Sequence, residues 1–262
     1  MFANAESYSQ FMGRWSSLLA PLLLDFARVP DGGRMLDLGS GTGALSFALA
    51  RTRPNSQAVG VDASTEYVAY SNQHNRFPGQ ITFQAGDARK LPFESRTFES
   101  SASLLVFNFI PDPQKALAEL VRVTRTGGSI GAAVWDYGGK TEILRSFCDA
   151  ATIVDADAVR FDEKHMPLCR SGELVKLWTD GGLKDVREKP LDIVLHFANF
   201  ADYWDPFLQG QGPAGSYVRT VEATRLSPLR DAVKQCLAVD DENAPFSMTA
   251  RAWAVQGKNA DS

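Results

Sequence analysis

A chain of 262 residues with 44% hydrophobic and 22% charged residues has the composition of a folded globular protein with an ample core. A net charge of −4 gives no general footprint for nucleic acid, and the longest apolar stretch, residues 18–26, is too short to cross a bilayer. Three widely spaced cysteines, Cys148, Cys169 and Cys236, indicate free thiols in a reducing compartment. We therefore expect a cytoplasmic protein with no nucleic-acid partner and no membrane span.

Strands and helices alternate through the first half of the chain. Apolar periodicity predicts helices at 15–28, 42–51 and from a Ser64 cap to about Asn75, and strands at 34–38, 57–61, 81–85 and 99–106. Asp112 and Pro113 then begin a helix that we expect to end at Gly127-Gly128, before a fifth strand at 129–135. Such alternation predicts an α/β fold with a mostly parallel, doubly wound sheet.

The pattern changes after Gly139, and we divide the chain there. Residues 1–139 are predicted to form the α/β core, and residues 140–185 a helical insertion that includes a helix capped by Ser171. Residues 186–262 return to the sheet with strands at 186–197 and 246–255, separated by a helical, lid-like segment interrupted at 210–213. The insertion and the lid-like segment are predicted to cap a cleft.

The most informative segment is Asp37-Leu38-Gly39-Ser40-Gly41-Thr42-Gly43, between the first predicted strand and the next helix. Glycines at this density allow a sharp turn and close approach of a ligand, and the helix N-terminus offers free N–H groups. The carboxylate of Asp37 is unfavourable for a phosphate and favourable for a cation. The segment therefore predicts a nucleoside ligand that carries positive charge.

This segment resembles motif I of the class I S-adenosylmethionine (SAM)-dependent methyltransferases, and the wider chain resembles their type 11 branch, which includes quinone-biosynthesis C-methyltransferases. The resemblance covers about Tyr8 to Gly139, with a weaker likeness through Gly257. It implies a Rossmann-like, seven-stranded sheet with an antiparallel last strand, and SAM as the cofactor, with S-adenosylhomocysteine as its product.

Carried onto this chain, the resemblance implies a cofactor site whose floor is the Asp37–Gly43 loop. Asp62, about 20 residues beyond the glycines, is expected to bind the ribose hydroxyls. Asp87 is expected to accept from the adenine amine, and the Ala88 N–H to donate to the ring. The full predicted set of cofactor residues is Tyr8, Met12, Arg14, Asp37, Gly39, Ser40, Gly41, Gly43, Asp62, Ala63, Asp87, Ala88 and Leu104, with Arg14 assigned to the cofactor carboxylate.

The acceptor side is less defined by sequence. Many relatives carry a histidine in the segment after the fourth strand, where this chain has Phe107-Asn108-Phe109. Either Phe107, Asn108 and Phe109 line the methyl channel, or Phe107 and Phe109 belong to the core. Aromatic residues of the second half, with Trp135, favour a small apolar or aromatic acceptor, and the candidate substrate contacts are Phe107, Asn108, Trp135, Tyr203 and Trp204.

No general base is identified by sequence. His165 in the insertion, His196 at a strand end and Tyr137 after the fifth strand are candidates, whereas His74 is expected at the surface. The spacing of His165, Cys148 and Cys169 matches no usual zinc pattern, so we expect no metal.

Two other functions and several details stay open. The glycines also fit a dinucleotide fingerprint, so an NAD(P)-dependent oxidoreductase is one alternative, although Asp37 disfavours a pyrophosphate. A non-catalytic SAM-binding protein is another. The acceptor, the atom that is methylated, and the choice between monomer and homodimer are not determined by the sequence.

Overall fold

Seven strands form one central sheet in this computed structural model, which describes residues 5–210 and 212–260. The strands are β1 (Gly33–Leu38), β2 (Ser56–Asp62), β3 (Ile81–Ala85), β4 (Phe98–Leu104), β5 (Thr124–Trp135), β6 (Lys184–Phe197) and β7 (Phe246–Lys258). Their order is β3-β2-β1-β4-β5-β7-β6; the first five are parallel, and β7 is antiparallel to both β5 and β6. The predicted Rossmann-like sheet with an antiparallel last strand is confirmed.

Ten α-helices are assigned within the described residues. They are α1 (Ala5–Tyr8), α2 (Arg14–Phe26), α3 (Ala44–Thr52), α4 (Thr65–Gln73), α5 (Pro113–Val123), α6 (Glu142–Val154), α7 (Glu173–Asp180), α8 (Phe200–Leu208), α9 (Gly212–Thr220) and α10 (Ala223–Cys236). A π-helical turn (Ser9–Gly13) joins α1 to α2, and 3₁₀ turns cover 107–109, 156–161 and 163–165. Within the same ranges, every helix is too short or too polar to span a membrane.

Two helix starts agree with their predicted caps. Ser64 accepts a hydrogen bond from the Tyr67 N–H at 3.3 Å, and Asp112 accepts from the Lys115 N–H at 3.0 Å, with Pro113 in the first turn. In α5 the apolar stripe Ala116, Leu117 and Leu120 is fully buried, as expected for an amphipathic helix.

The predicted end of α5 at Gly127-Gly128 is wrong. The helix ends at Val123, and the Asn259 side chain donates to the carbonyls of Val121 (2.9 Å) and Thr124 (2.7 Å). Strand β5 begins at Thr124, and the glycines lie in a bulge where the pairing with β4 shifts register. The Gly127-Gly128 pair therefore belongs to the bulge and not to the end of the helix, because a bulge also favours glycine.

Two further boundaries differ from prediction. Strand β4 ends at Leu104 rather than at 106, because Leu105 has a left-handed φ of 64° that an extended strand cannot continue. Helix α7 has Gly172, not Ser171, at its N-cap, and the Ser171 hydroxyl instead donates to Glu188 at 2.6 Å.

The position of β1 determines where a ligand can bind. β1 lies between β2 and β4, so β2 and β3 lie on one side of β1, and β4 and β5 lie on the other. At such a switch point the loops that follow the strands diverge and leave a crevice at the carboxyl ends. The loops after β1, β2, β3 and β4 all meet there.

Candidate functional site

A cleft of two connected chambers lies at the switch point. The inner chamber encloses about 350 Å³ and the outer chamber about 610 Å³. Gly39, Asp62, Val106 and Phe109 line both, so the two form one continuous cleft. This volume is in the range of small-molecule and cofactor sites.

The glycine loop forms the floor of the inner chamber. Gly39, Gly41 and Gly43 have φ values of 71°, 51° and 89°, which L side chains rarely adopt. A Cβ at Gly39 would lie 2.5 Å from Cγ1 of Val106, whereas a Cβ at Gly41 would meet nothing within 4 Å. Gly39 thus allows the loop to pack against the residue after β4, and Gly41 leaves open space for a ligand. Ser40 also lines this chamber, and Gly43 caps α3.

Asp37 is a buried carboxylate beneath this floor. Its Oδ2 accepts from the Ser46 N–H (3.1 Å) and hydroxyl (2.7 Å), while its Oδ1 has no hydrogen-bond partner among the described residues. Burial raises the pKa of Asp37 to about 7, with the nearby charge of Asp62 adding to the rise and the Ser46 bonds opposing it. An incompletely satisfied buried carboxylate is suited to a cationic ligand, which would restore its charged form.

Asp62, the last residue of β2, closes the other side of the loop. Its Oδ2 accepts from the Gly41 N–H and its Oδ1 from the Ser64 N–H, both at 2.8 Å. Burial raises its pKa, and these backbone donors oppose the rise. Each carboxylate oxygen still has a second lone pair, so both can accept from a ligand hydroxyl.

The outer chamber contains the predicted adenine residues. Ala63, Asp87 and Ala88 line it together with Arg89. The Arg89 guanidinium, 2.8 Å from Asp87, holds the pKa of that exposed carboxyl at about 2. Asp87 is therefore ionised and already paired, and a ligand amine would share it with Arg89.

The N-terminal segment covers the inner chamber. Tyr8, Met12 and Ser16 line it, and the Tyr8 ring lies 5.6 Å from the ring of Tyr67 on α4. The Ala5 N–H donates to Glu66 at 3.0 Å, which fastens the start of this segment to α4. The predicted cover residues Tyr8 and Met12 thus face the cleft.

Arg14 does not line either chamber. It donates to Oδ1 of Asp202 on α8 at 2.8 Å and to the Asp202 carbonyl at 3.1 Å, and its guanidinium lies 4.1 Å from the Trp15 ring centre. Arg14 thus pairs with the Asp202 carboxylate, whereas the sequence analysis assigned it to the carboxylate of the cofactor. A role for Arg14 at the cofactor stays a prediction that requires this ion pair to open.

Aromatic and apolar side chains line the far end of the inner chamber. Leu104 ends β4, Trp135 ends β5, and Tyr137 follows two residues later; Tyr67 and Phe109 complete the aromatic surface. Burial raises the pKa of the Tyr137 phenol well above its usual range. Among the described lining residues there is no Lys, Arg or His.

Four of the substrate candidates lie elsewhere. Phe107 is buried with its ring 5.0 Å from Trp178, so of its two interpretations the structure favours the core. Asn108 is buried behind the lining, beside Tyr137. Tyr203 donates to the Ile143 carbonyl at 2.8 Å, and Trp204 stacks with Phe200; both belong to an aromatic core between the helices. Of the five candidates, Trp135 alone lines the chamber.

The two histidine candidates lie outside the lining of the cleft. His165 is exposed, with Nδ1 3.4 Å from the Arg170 guanidinium, and His196 is exposed, with Nδ1 2.8 Å from the Ser247 hydroxyl. Neither lines a chamber, whereas Tyr137 does. No group of three or more His, Cys, Asp or Glu with metal-binding geometry occurs in the described ranges.

Sequence reasoning missed part of the lining. The missed residues are Ser16, Ala44, Leu45, Val61, Tyr67, Ala85, Arg89, Leu105, Val106, Ile110 and Pro111. Most adjoin a predicted motif in sequence and could have been included by extending it. Tyr67 is different, since only the docking of the N-terminal segment on α4 reveals that its side chain faces the cleft.

Comparisons with known proteins agree with this geometry. Residues 36–131 match the family model described as a methyltransferase domain. The chain is 37% identical over 100 residues to the ubiquinone/menaquinone biosynthesis C-methyltransferase UbiE of Desulfotalea psychrophila, an alignment that covers 38% of this chain and 40% of that protein. It is 34% identical over 122 residues to the uncharacterized protein Rv1405c of Mycobacterium tuberculosis, covering 46% and 44% respectively. The chain thus spans less than half the length of these relatives.

A solved structure resembles the whole fold. Phosphoethanolamine N-methyltransferase 2 of Haemonchus contortus, in complex with S-adenosyl-L-methionine, superposes with a TM-score of 0.61 at 16% identity. The match covers 98% of this chain and 57% of that one. At this identity the likeness supports the fold alone.

Proposed function

We propose a methyl-transfer function from one premise: over residues 36–131 the chain belongs to the class I SAM-dependent methyltransferases, in the type 11 branch. In this proposal SAM binds in the two-chamber cleft and gives its methyl group to a small acceptor. The sulfonium of the cofactor activates the methyl group, so the protein has to bind, orient and exclude water.

The observation that carries the proposal is the pair of buried carboxylates at the glycine loop. Asp37 and Asp62 both line the inner chamber, and no cationic side chain of the described lining offsets them. The unpartnered Asp37 Oδ1, Ser40 Oγ and Tyr67 hydroxyl leave polar atoms available to a ligand. A nucleoside with an ammonium and a sulfonium fits these groups, whereas a pyrophosphate would be repelled.

Residue roles follow from position. Asp62 is assigned to the ribose hydroxyls, Asp87 and the Ala88 N–H to the adenine in the outer chamber, and Asp37 to the positive charge of the cofactor. Tyr8 and Met12 cover the ligand. These assignments also predict that the methyl group points toward Trp135 and Tyr137.

The acceptor is proposed to be a small, apolar or aromatic molecule. Trp135, Tyr137, Phe109 and Tyr67 present ring faces, and Leu104 and Leu105 add apolar surface. Cationic side chains are absent from the described lining of the inner chamber, so a phosphate or carboxylate near the reacting atom is disfavoured. The quinone-biosynthesis role in the name of the UbiE relative makes a naphthohydroquinone a rational first acceptor to assay.

Calorimetric titration with SAM, S-adenosylhomocysteine and NADH tests the cofactor. We expect micromolar binding of both adenosyl ligands to the wild type, and a loss of about 100-fold in Asp62→Ala, since two hydrogen bonds to a charged group are removed. Asp157→Asn, at an exposed ion pair with Arg160, is the matched control and should bind like the wild type. Binding of NADH alone would replace this proposal with the oxidoreductase alternative.

Transfer of a labelled methyl group from SAM to naphthohydroquinone tests the chemistry. If labelled product forms only when both the protein and the acceptor are present, the result supports a methyltransferase. Tight SAM binding with no transfer to this or any other acceptor in a broad screen would support the non-catalytic alternative instead.

A further inference from the structure

Tyr67 is a buried residue of the cleft whose hydroxyl has no specific partner in the proposed function. It lies on α4, is 8% exposed and lines the inner chamber. The hydroxyl is buried and makes no hydrogen bond with any residue that the structure describes. An unpaired buried hydroxyl costs free energy, so its presence at a ligand cleft requires an explanation. A ligand that supplies the missing hydrogen bond provides one.

The packing of α4 places Tyr67 beside the glycine loop. Ser71 lies one turn further along the helix, so the two side chains share one face of α4. The Ser71 hydroxyl donates to the Gly41 carbonyl at 2.8 Å, which holds this face against the loop. A Cβ at Gly41 would meet no atom within 4 Å, so the chamber is open at this glycine. Tyr67 therefore borders the space in which a ligand can approach the loop backbone most closely.

The surroundings of Tyr67 keep its hydroxyl protonated. The Tyr8 ring, in the segment that covers the chamber, lies 5.6 Å from the Tyr67 ring. Burial raises the pKa of Tyr67 above its ordinary value of 10.0, and the nearby Tyr8, Asp62 and Glu66 add to the rise. The phenol is therefore a hydrogen-bond donor at any pH at which the protein is studied, whereas an ionised aspartate is an acceptor alone.

The polar groups of the cofactor require both kinds of partner. Its ribose hydroxyls and its ammonium are donors, and the proposed function assigns them to the acceptors Asp62 and Asp37. Its carboxylate is an acceptor and needs donors from the protein. The described lining of the inner chamber contains no Lys, Arg or His, and the Arg14 guanidinium is paired with Asp202 at 2.8 Å. The side-chain donors for the carboxylate therefore have to be neutral hydroxyls.

We propose that the Tyr67 hydroxyl donates a hydrogen bond to the carboxylate of bound SAM or S-adenosylhomocysteine; this rests on the proposed cofactor. Ser40, next to Gly41 in sequence, carries another buried hydroxyl without a partner in the same lining. The chamber thus offers one such donor for each carboxylate oxygen. Neutral donors bind the carboxylate without repelling the ammonium and the sulfonium of the same molecule, as a cationic side chain would.

Thermal unfolding of the ligand-free protein is the first test. Tyr67→Phe keeps the ring and removes only the hydroxyl. Because that hydroxyl has no partner until a ligand binds, we expect the melting temperature of the variant to equal or exceed that of the wild type, within about 2 °C on the lower side. A larger fall would show that the hydroxyl is bonded within the protein and would overturn the proposal.

Calorimetric titration with two ligands that differ only in the carboxylate is the second test. We expect Tyr67→Phe to weaken S-adenosylhomocysteine about 20-fold, and to weaken decarboxylated S-adenosylhomocysteine less than about twofold, since one hydrogen bond to a charged group is lost in the first complex alone. Tyr70→Phe is the matched control. Tyr70 is half-buried on the same helix and lines neither chamber, so this variant should bind both ligands like the wild type.

The other results of the titration contradict the proposal in distinguishable ways. An equal loss for both ligands in Tyr67→Phe would assign the hydroxyl to the ribose or the adenine. Unchanged binding in Tyr67→Phe, together with a loss specific to the carboxylate in Arg14→Gln, would assign the carboxylate to Arg14. A wild type that binds neither adenosyl ligand would contradict the proposed function itself, and this inference with it.

Discussion

The two ends of the cleft, one proposed to bind the cofactor and the other the acceptor, are built in different ways. The cofactor end consists of short loops that directly follow β1, β2 and β3, so its residues occur in sequence next to the strands that position them. The acceptor end combines the N-terminal segment, α4, the turn after β4 and the end of β5, which are distant in sequence. Local motifs therefore identify the first end, and only the folded arrangement identifies the second.

The largest expected effect at the cofactor end concerns the glycine loop. We expect Gly39→Ala to destabilise the protein by roughly 4 kcal/mol and to abolish SAM binding, since a Cβ collides with Val106 and the residue keeps a left-handed φ. Gly41→Ala meets no protein atom and should cost only about 1 kcal/mol, while still weakening SAM binding. Urea unfolding and calorimetry measure both. Equal stability losses in the two variants would show that contact with Val106 does not constrain the loop.

The buried Asp37 carboxyl makes the stability of the protein depend on pH. Its folded pKa of about 7 lies above the ordinary value of 3.8. Between pH 3.8 and about pH 7 the Asp37 carboxyl is therefore protonated in the folded state and ionised in the unfolded chain. The free energy of unfolding consequently falls as the pH rises toward 7. Relative to Asp37→Asn, the ligand-free wild type should lose about 3 kcal/mol between about pH 5 and pH 8. Urea unfolding at both pH values measures it; a pH-independent difference would mean that Asp37 is not buried as described.

The smallest expected effect concerns Arg14 and Asp202. A double-mutant cycle with Arg14→Gln and Asp202→Asn should give a coupling of about 0.5 kcal/mol, as both side chains are about one-third exposed. The SAM Kd should change less than threefold in either variant. A tenfold loss of SAM affinity in Arg14→Gln alone would instead support the carboxylate-binding role predicted from sequence.

Much of the fold could be predicted from sequence because its signals are local, and the residues proposed for the cofactor were likewise identified from local motifs. The caps at Ser64 and Asp112, and the aspartate that ends β2, belong to one element each. The glycine pair at 127–128 led to a wrong prediction for the end of α5, because glycine is favoured both at a helix end and in a strand bulge.

The aromatic lining of the acceptor end was predicted only in part, because aromatic composition does not tell a lining residue from a core residue. Trp135 and Trp204 have the same side chain, yet one faces the chamber and the other stacks in the core. The partner of Arg14 was also beyond prediction, since Asp202 lies 188 residues further along the chain. Such contacts depend on tertiary packing rather than on periodicity.

The last strand in the sheet order, β6, has a consequence for solution behaviour. Among the described strands it pairs with β7 alone, and its first half presents exposed charges at Lys184, Asp185, Arg187 and Lys189, followed by Pro190. Charges and proline on an edge strand oppose the addition of a further strand. The β6 edge of the sheet is therefore protected against edge-to-edge pairing with another chain, as long as this strand keeps its charges.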